Sequence, residues 1–437
     1  MFDTFGRPTN VSRRRFLAQT SVQVGALGTL SIGSFARGET GKSSVAPKAK
    51  RAMMIFLAGG ASHFETFDPK PDAPLEFRGP FNAISTKLPG IQFSENLREL
   101  SKLNDQFSLV RSVCHENSGH GGGQRQVQTG YKSASLEDEL PHDYPAVGSV
   151  VAKMRGAMSG GMPTYMHLPN GDDGGAKFLG NAYDAFQVYS TGLPVGIQLR
   201  SSVKLDRLES RVALRKSLDR MARVASEGRA MESMDQLERQ ALEMITSPSA
   251  ADAFELDKES EAMRMRYGKH EAGRCLLLAR RFLEAGAGIV TVRMGSWDHH
   301  GNAGGTVTSG TLENVPPLDQ SLSAFLTDMT ERGMLDDTIV WVWGEFGRTP
   351  RINNSAGRDH WPQAMSVLLA GGGIQPGHVI GSTTSKGEHP ADSPFSPADV
   401  LATVYKQLGI DTSHQFLNTA GRPISILAEG KPIRELL

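Results

Sequence analysis

Six histidines stand in short polar clusters beside apolar runs: His63, His115, His120, His299, His300 and His360. The chain has 12 histidines, so the clustering is more than scatter. Carboxylates share these clusters: Asp298 precedes His299 and His300, Glu345 stands in GEFGRTP, and Asp359 precedes His360. Histidine with carboxylate is the donor set of zinc or another first-row divalent ion. Asp298 and His300, two residues apart, can reach one ion from a single loop, with Glu345 and His360 closing the shell. Arg348, Arg351 and Arg358 lie in the same stretches. They either grip a tetrahedral oxyanion by forked hydrogen bonds or pair with Asp359 and Glu345. Singly, each residue also reads as a loop side chain bonded to backbone; as a set they point to metal or anion chemistry.

Something must bring these clusters together. Apolar runs at 52–58, 107–113, 164–168, 289–294, 338–343 and 365–370 are nearly continuous, which suits strands buried on both faces of a parallel α/β sheet. In such sheets ligands bind beyond the carboxyl ends of the strands, where most of the polar clusters fall. Leu318, Leu322, Phe325, Leu326 and Met329 recur at helical spacing, with Gly333 placed as a C-terminal cap. Another helix begins at Ser396-Pro397 and ends before Gly409. Residues 203–283 are Arg-, Glu-, Met- and Leu-rich with little strand signal, and read as a helical segment on one side of the sheet.

The 47 basic and 47 acidic residues cancel, which excludes a generally basic nucleic-acid binder. Cys114 and Cys275 are too few for a disulfide framework or a Cys-x-x-Cys metal motif. His115-Glu116 followed by His120 lacks the His-Glu-x-x-His spacing, and no Gly-x-Ser-x-Gly elbow or Walker lysine occurs. Ser12-Arg13-Arg14-Arg15-Phe16-Leu17 has the pattern of a twin-arginine export signal. A weakly apolar stretch follows at 18–35, and Ser34-Phe35-Ala36 offers small residues for cleavage. That stretch is short and broken by glycine, so no stable membrane anchor is expected. The expected organisation is a signal at 1–36, a linker at 37–50 and one domain over 51–437. The partner expected of the signal is the twin-arginine machinery, and the expected location is periplasmic or secreted.

The segments FDPKPDAPLEFRGPF, LPGIQFSENL, QTGY, WDHHGN, GEFGRTPRIN and GRDHWP resemble an exported bacterial family catalogued as domain of unknown function 1501. That family in turn resembles the alkaline phosphatase, sulfatase and phosphoglycerate mutase superfamily. The resemblance implies a mostly parallel sheet with helices on both faces and a divalent metal, zinc first, with manganese or calcium as alternatives. Asp298 and His300 resemble the superfamily's Asp…His pair, with His299 able to replace His300. Glu345 stands where an Asp of an Asp-His pair is expected, and His360 where a late metal His is expected. Phe346 replaces the His of that pair, which argues against a full second metal site. His120 stands near the place of the sulfatase nucleophile, as nucleophile or general acid, with Arg348 binding the anion. Gly59-Gly60 replaces the first-strand Asp, leaving His63 and Asp68 as substitute ligands. The implied activity is metal-dependent hydrolysis of phosphate or sulfate esters, such as those of carbohydrates. The alternative is an exported binding or structural protein on the same fold.

Overall fold

The computed structural model describes residues 46–132, 143–156, 158, 160–171, 174–192 and 247–437. The export signal, and residues 203–246 of the segment read as helical, lie outside them. Twelve strands concern us: β1 (Arg51–Leu57), β2 (Ala83–Ser85), β3 (Gln92–Ser94), β4 (Ser108–Val113), β5 (Tyr165–Leu168), β6 (Phe186–Gln187), β7 (Ile289–Met294), β8 (Thr338–Trp343), β9 (Gly347–Arg348), β10 (His360–Trp361), β11 (Met365–Ala370) and β12 (Val379–Ile380). Eight form one sheet in the order β12-β4-β11-β8-β1-β7-β5-β6. All six apolar runs enter it. β1 pairs in parallel with both β7 and β8, and β5 continues the parallel set beside β7. Only β11 runs against its neighbours β4 and β8. The sheet is therefore mixed and mostly parallel.

Helices cover both faces. Among the described residues, those of seven or more residues are α1 (His120–Thr129), α2 (Val147–Arg155), α3 (Pro248–Phe254), α4 (Glu261–Tyr267), α5 (Glu271–Glu284), α6 (Val307–Glu331) and α7 (Pro397–Gln407). Alternation along β1 divides the core. Met53, Ile55 and Leu57 join Leu276 and Phe282 of α5 and Leu318, Leu322 and Phe325 of α6. Ala52, Met54 and Phe56 face the other way, onto Val147 and Val151 of α2 and Val400, Val404 and Tyr405 of α7. Burying each large side chain contributes about 1.5–3 kcal/mol, so a strand buried on both faces is anchored twice. α6 starts about three turns earlier than the leucine spacing alone indicates, and Thr306 and Ser309 close a capping box at that start. α7 begins as read from Ser396-Pro397, with Asp399 completing its box. Among the described residues no helix is long and apolar enough to cross a membrane.

The antiparallel β11 has a consequence for the site. Parallel strands β1, β4, β7 and β8 end at one edge, and β11 begins at that same edge. The segment joining β8 to β11 therefore never leaves it. Glu345, Arg348, Asp359 and His360 all lie on this segment, and its β9–β10 hairpin sets His360 directly opposite Arg348.

Candidate metal centre

Glycine governs the floor of the site. Gly59 and Gly60 follow β1 with φ of 106° and 83°, a region that L side chains rarely adopt. A Cβ on Gly59 would lie 2.6 Å from the Asp298 backbone nitrogen, and one on Gly60 would lie 2.6 Å from the Phe346 ring. No acid fits there. The bare backbone is used instead: the Gly59 N–H donates to both carboxylate oxygens of Glu345, at 2.8 and 3.0 Å.

Arg348 is buried and takes the carbonyls of the same pair. Its Nε donates to Gly60 O at 2.9 Å, and Nη2 donates to Gly59 O and to Asp298 Oδ1, the latter at 2.6 Å. Nη1 donates to Arg358 O at 3.0 Å and lies 3.5 Å from His300 Nε2. A guanidinium has five N–H groups, and five acceptors surround this one. The geometry gives Arg348 to the scaffold and to Asp298, leaving none of its donors facing an incoming oxyanion. Arg358 is likewise internal, donating to Glu65 at 2.7 Å and to the Phe77 carbonyl at 2.7 Å. Arg351 is exposed.

Around Asp298 three imidazoles present the same atom. His120 Nε2 lies 3.3 Å from Oδ2, while His300 Nε2 and His360 Nε2 lie 2.9 and 3.1 Å from Oδ1. Each ring is tied outward through its other nitrogen. Nδ1 of His120 donates to Glu345 Oε1 at 2.8 Å, that of His300 to Asp359 Oδ1 at 2.7 Å, and that of His360 to the Ser118 carbonyl at 2.7 Å. An ionised carboxylate or a carbonyl only accepts, so Nδ1 carries the hydrogen and the neutral ring has its lone pair on Nε2. Outward bonds of this kind fix the tautomer and orientation of metal-binding histidines. Ligand atoms of His120, Asp298 and His360 lie within 4.8 Å of one another. Donors at zinc distances of about 2.0–2.1 Å would sit about 3.4 Å apart in a tetrahedron, and the three rings lie 2.9–3.3 Å from the Asp298 carboxylate. These residues fit a divalent ion.

Burial opposes the Asp298 charge, but hydrogen bonds from His120, His360 and Arg348 outweigh it and hold the carboxyl well below its usual range. Hydrogen bonds to Asp298 and Glu345 push His120 up to about 9, so its Nε2 carries a proton whose place a bound ion would take. The site is open on one side, with the Asp298 and His120 side chains 36% and 34% exposed. Below it Phe346 is fully buried, its ring 4.3 Å from that of His360.

Three residues read as substitute ligands lie elsewhere. His63 is buried with Nε2 2.9 Å from the Gly387 carbonyl, and Asp68 pairs with Lys70 and accepts from Thr383. His299 turns toward α6, where its Nε2 sits 3.3 Å from Asn314. The sequence reading also cast Glu345 as a ligand and His120 as the reacting group. In the structure His120 offers the inward atom, and Glu345 stands behind it. That reading offered Asp359 as a partner for arginine; in the structure it accepts from His300 Nδ1.

A family model described as "Protein of unknown function (DUF1501)" matches residues 49–437. The chain belongs to this family. No curated protein matches the sequence of this DUF1501 member. Its structure is similar to the lipoteichoic acid synthase LtaP from Listeria monocytogenes, at 10% identity, 88% and 79% coverage of the two chains and a TM-score of 0.36. It is also similar to phosphonate monoester hydrolase SpPMH from Silicibacter pomeroyi, at 13% identity, 89% and 76% coverage and a TM-score of 0.38. A third is a protein in the alkaline phosphatase superfamily from Vibrio parahaemolyticus, at 11% identity, 85% and 68% coverage and a TM-score of 0.37.

Proposed function

We propose that this DUF1501 protein is an exported metal-dependent hydrolase of phosphate or sulfate esters. One observation carries the reading: three imidazole Nε2 atoms face a single carboxylate, every Nδ1 is anchored outward, and the cluster opens to solvent at the strand ends. A structural site would be closed, whereas a catalytic one keeps a position for water or substrate. His120, Asp298 and His360 would hold the ion, with His300 beside them. Bound there, a divalent ion would polarise an ester oxygen and offset charge developing in the transition state.

The chain's own groups do the positioning. Arg348 holds Asp298 from beneath, Glu345 and Asp359 hold His120 and His300, and Phe346 keeps water from the underside. The ester's anionic oxygens would approach from the open side. Export by the twin-arginine route, read from Arg13 and Arg14, would deliver the protein folded, with any metal already loaded, to the periplasm or medium. The test is metal analysis of the purified protein, followed by a screen of phosphate and sulfate esters, including those of carbohydrates. Stoichiometric metal with turnover that EDTA abolishes is the expected result. Metal-free protein, or metalloprotein inert on every ester, would leave the binding-protein reading in its place.

A further inference from the structure

Hydrolysis through a covalent intermediate needs a protein nucleophile with a lone pair on the open side, and His120 stands where sequence resemblance puts that group. Its geometry argues otherwise. Nδ1 donates to Glu345, which is only 2% exposed, so this nitrogen faces the interior. Nε2, the remaining ring nitrogen, is directed at Asp298 Oδ2 and belongs to the three-residue donor cluster. The ring is also wedged, with centroids 4.3 Å from His360 and 5.2 Å from Phe346, so turning it would break the Glu345 bond and clash with a neighbour. Neither cysteine serves instead. Cys275 is buried within α5, and burial near Asp399 pushes the Cys114 thiol up, away from the reactive thiolate.

Building on the hydrolase reading, we propose that His120 is a metal ligand through Nε2, positioned by Glu345, and that water attacks the ester directly. No ester group is carried by the enzyme. The water oxygen bonds to phosphorus or sulfur as the bond to the ester oxygen breaks. One water proton ends on the departing alkoxide oxygen. The other ends on the released phosphate or sulfate, which exchanges it with solvent. The cleavage is a single displacement, so the leaving alcohol and the inorganic product appear together without a burst.

Two measurements test this. In the first, EDTA-stripped protein is titrated with Co²⁺ and followed by visible absorption, with circular dichroism confirming the fold. His120→Ala should weaken cobalt binding by more than about 100-fold, and Glu345→Gln by about 10–100-fold, the range for an outer partner of a metal-bound histidine. Cobalt binding of wild-type strength in either variant overturns the assignment, and Glu345→Gln decides it if His120→Ala does not fold. In the second, full-length protein turning over bis(4-nitrophenyl) phosphate or 4-nitrophenyl sulfate is quenched in alkali, which preserves a phosphohistidine, and weighed intact. An unmodified mass is expected, and a phosphoryl or sulfuryl adduct on His120, Ser118 or any other residue overturns direct attack. Should neither ester react, the hydrolase reading falls, while the cobalt titration still decides the place of His120.

Discussion

His300 Nε2 lies 3.0 Å from His360 Nε2, although each ring already donates outward through Nδ1. Two neutral rings so tied would face each other lone pair to lone pair, which is repulsive. A proton or a cation between them makes the spacing favourable, and Asp298 Oδ1 lies near both nitrogens. This pair concentrates the chemistry of the site: donors converge, and their outer partners prevent them from turning away.

Replacing His360 by Ala removes one of those donors from a short hairpin that contributes little to the core. Metal content measured by atomic emission should fall several-fold or more, while the melting temperature of the EDTA-treated protein stays within a few degrees of wild type. Unchanged metal content would remove His360 from the centre.

Arg348 should behave differently, as a structural cation. Arg348→Met leaves Asp298 without its buried partner and strands the carbonyls of Gly59 and Gly60. Loss of one partner from a buried ion pair costs about 3–5 kcal/mol, here at the lower end because Asp298 is partly exposed. Urea denaturation of the EDTA-treated protein measures it, and a cost below about 1 kcal/mol would contradict the assignment.

Gly60→Ala tests the floor of the site. The added methyl would meet the Phe346 ring at 2.6 Å on a backbone already at φ 83°. Overpacking and left-handed strain together should cost about 2–4 kcal/mol in the same denaturation experiment. The displaced Phe346 should also weaken metal binding, since its ring supports His120 and His360.

His63 sets an acid limit on stability. Burial lowers it from 6.5 to about 4, so the folded protein keeps it neutral while the unfolded chain protonates. Between pH 6.5 and about 4 the unfolded state binds more protons, so stability falls as pH drops through that window. The full effect is of order 3 kcal/mol, from 1.36 kcal/mol per pKa unit. His63→Gln keeps a donor for the Gly387 carbonyl and should flatten the pH dependence of urea midpoints between pH 7 and 4; an unchanged slope would place the acid sensitivity elsewhere.

Export is tested by changing Arg13 and Arg14 together to Lys. Lysine keeps the charge but not the guanidinium pair that the export receptor reads. Unprocessed precursor should accumulate in the cytoplasm, as fractionation and immunoblotting would show, and normal processing would exclude the twin-arginine route.

The sheet was legible in the sequence because its signal is local. Continuous apolar runs such as TIVWVW and IVTVRM stay strands wherever they pair, and polar clusters at their ends mark one functional edge. That Asp298, His300 and His360 would lie together was legible for the same reason. Their division of labour was not, because it depends on contacts between distant parts of the chain. Gly59 meets Glu345 across 286 positions, and Arg348 spends its donors on Gly59 and Gly60 across 289 and 288. Only that closure shows the guanidinium committed to carbonyls, His120 turned inward by Glu345, and His63 and Asp68 engaged in a separate buried cluster. Residue type limits what a side chain can do; which acceptor lies within hydrogen-bonding distance, a property of tertiary packing alone, decides what it does.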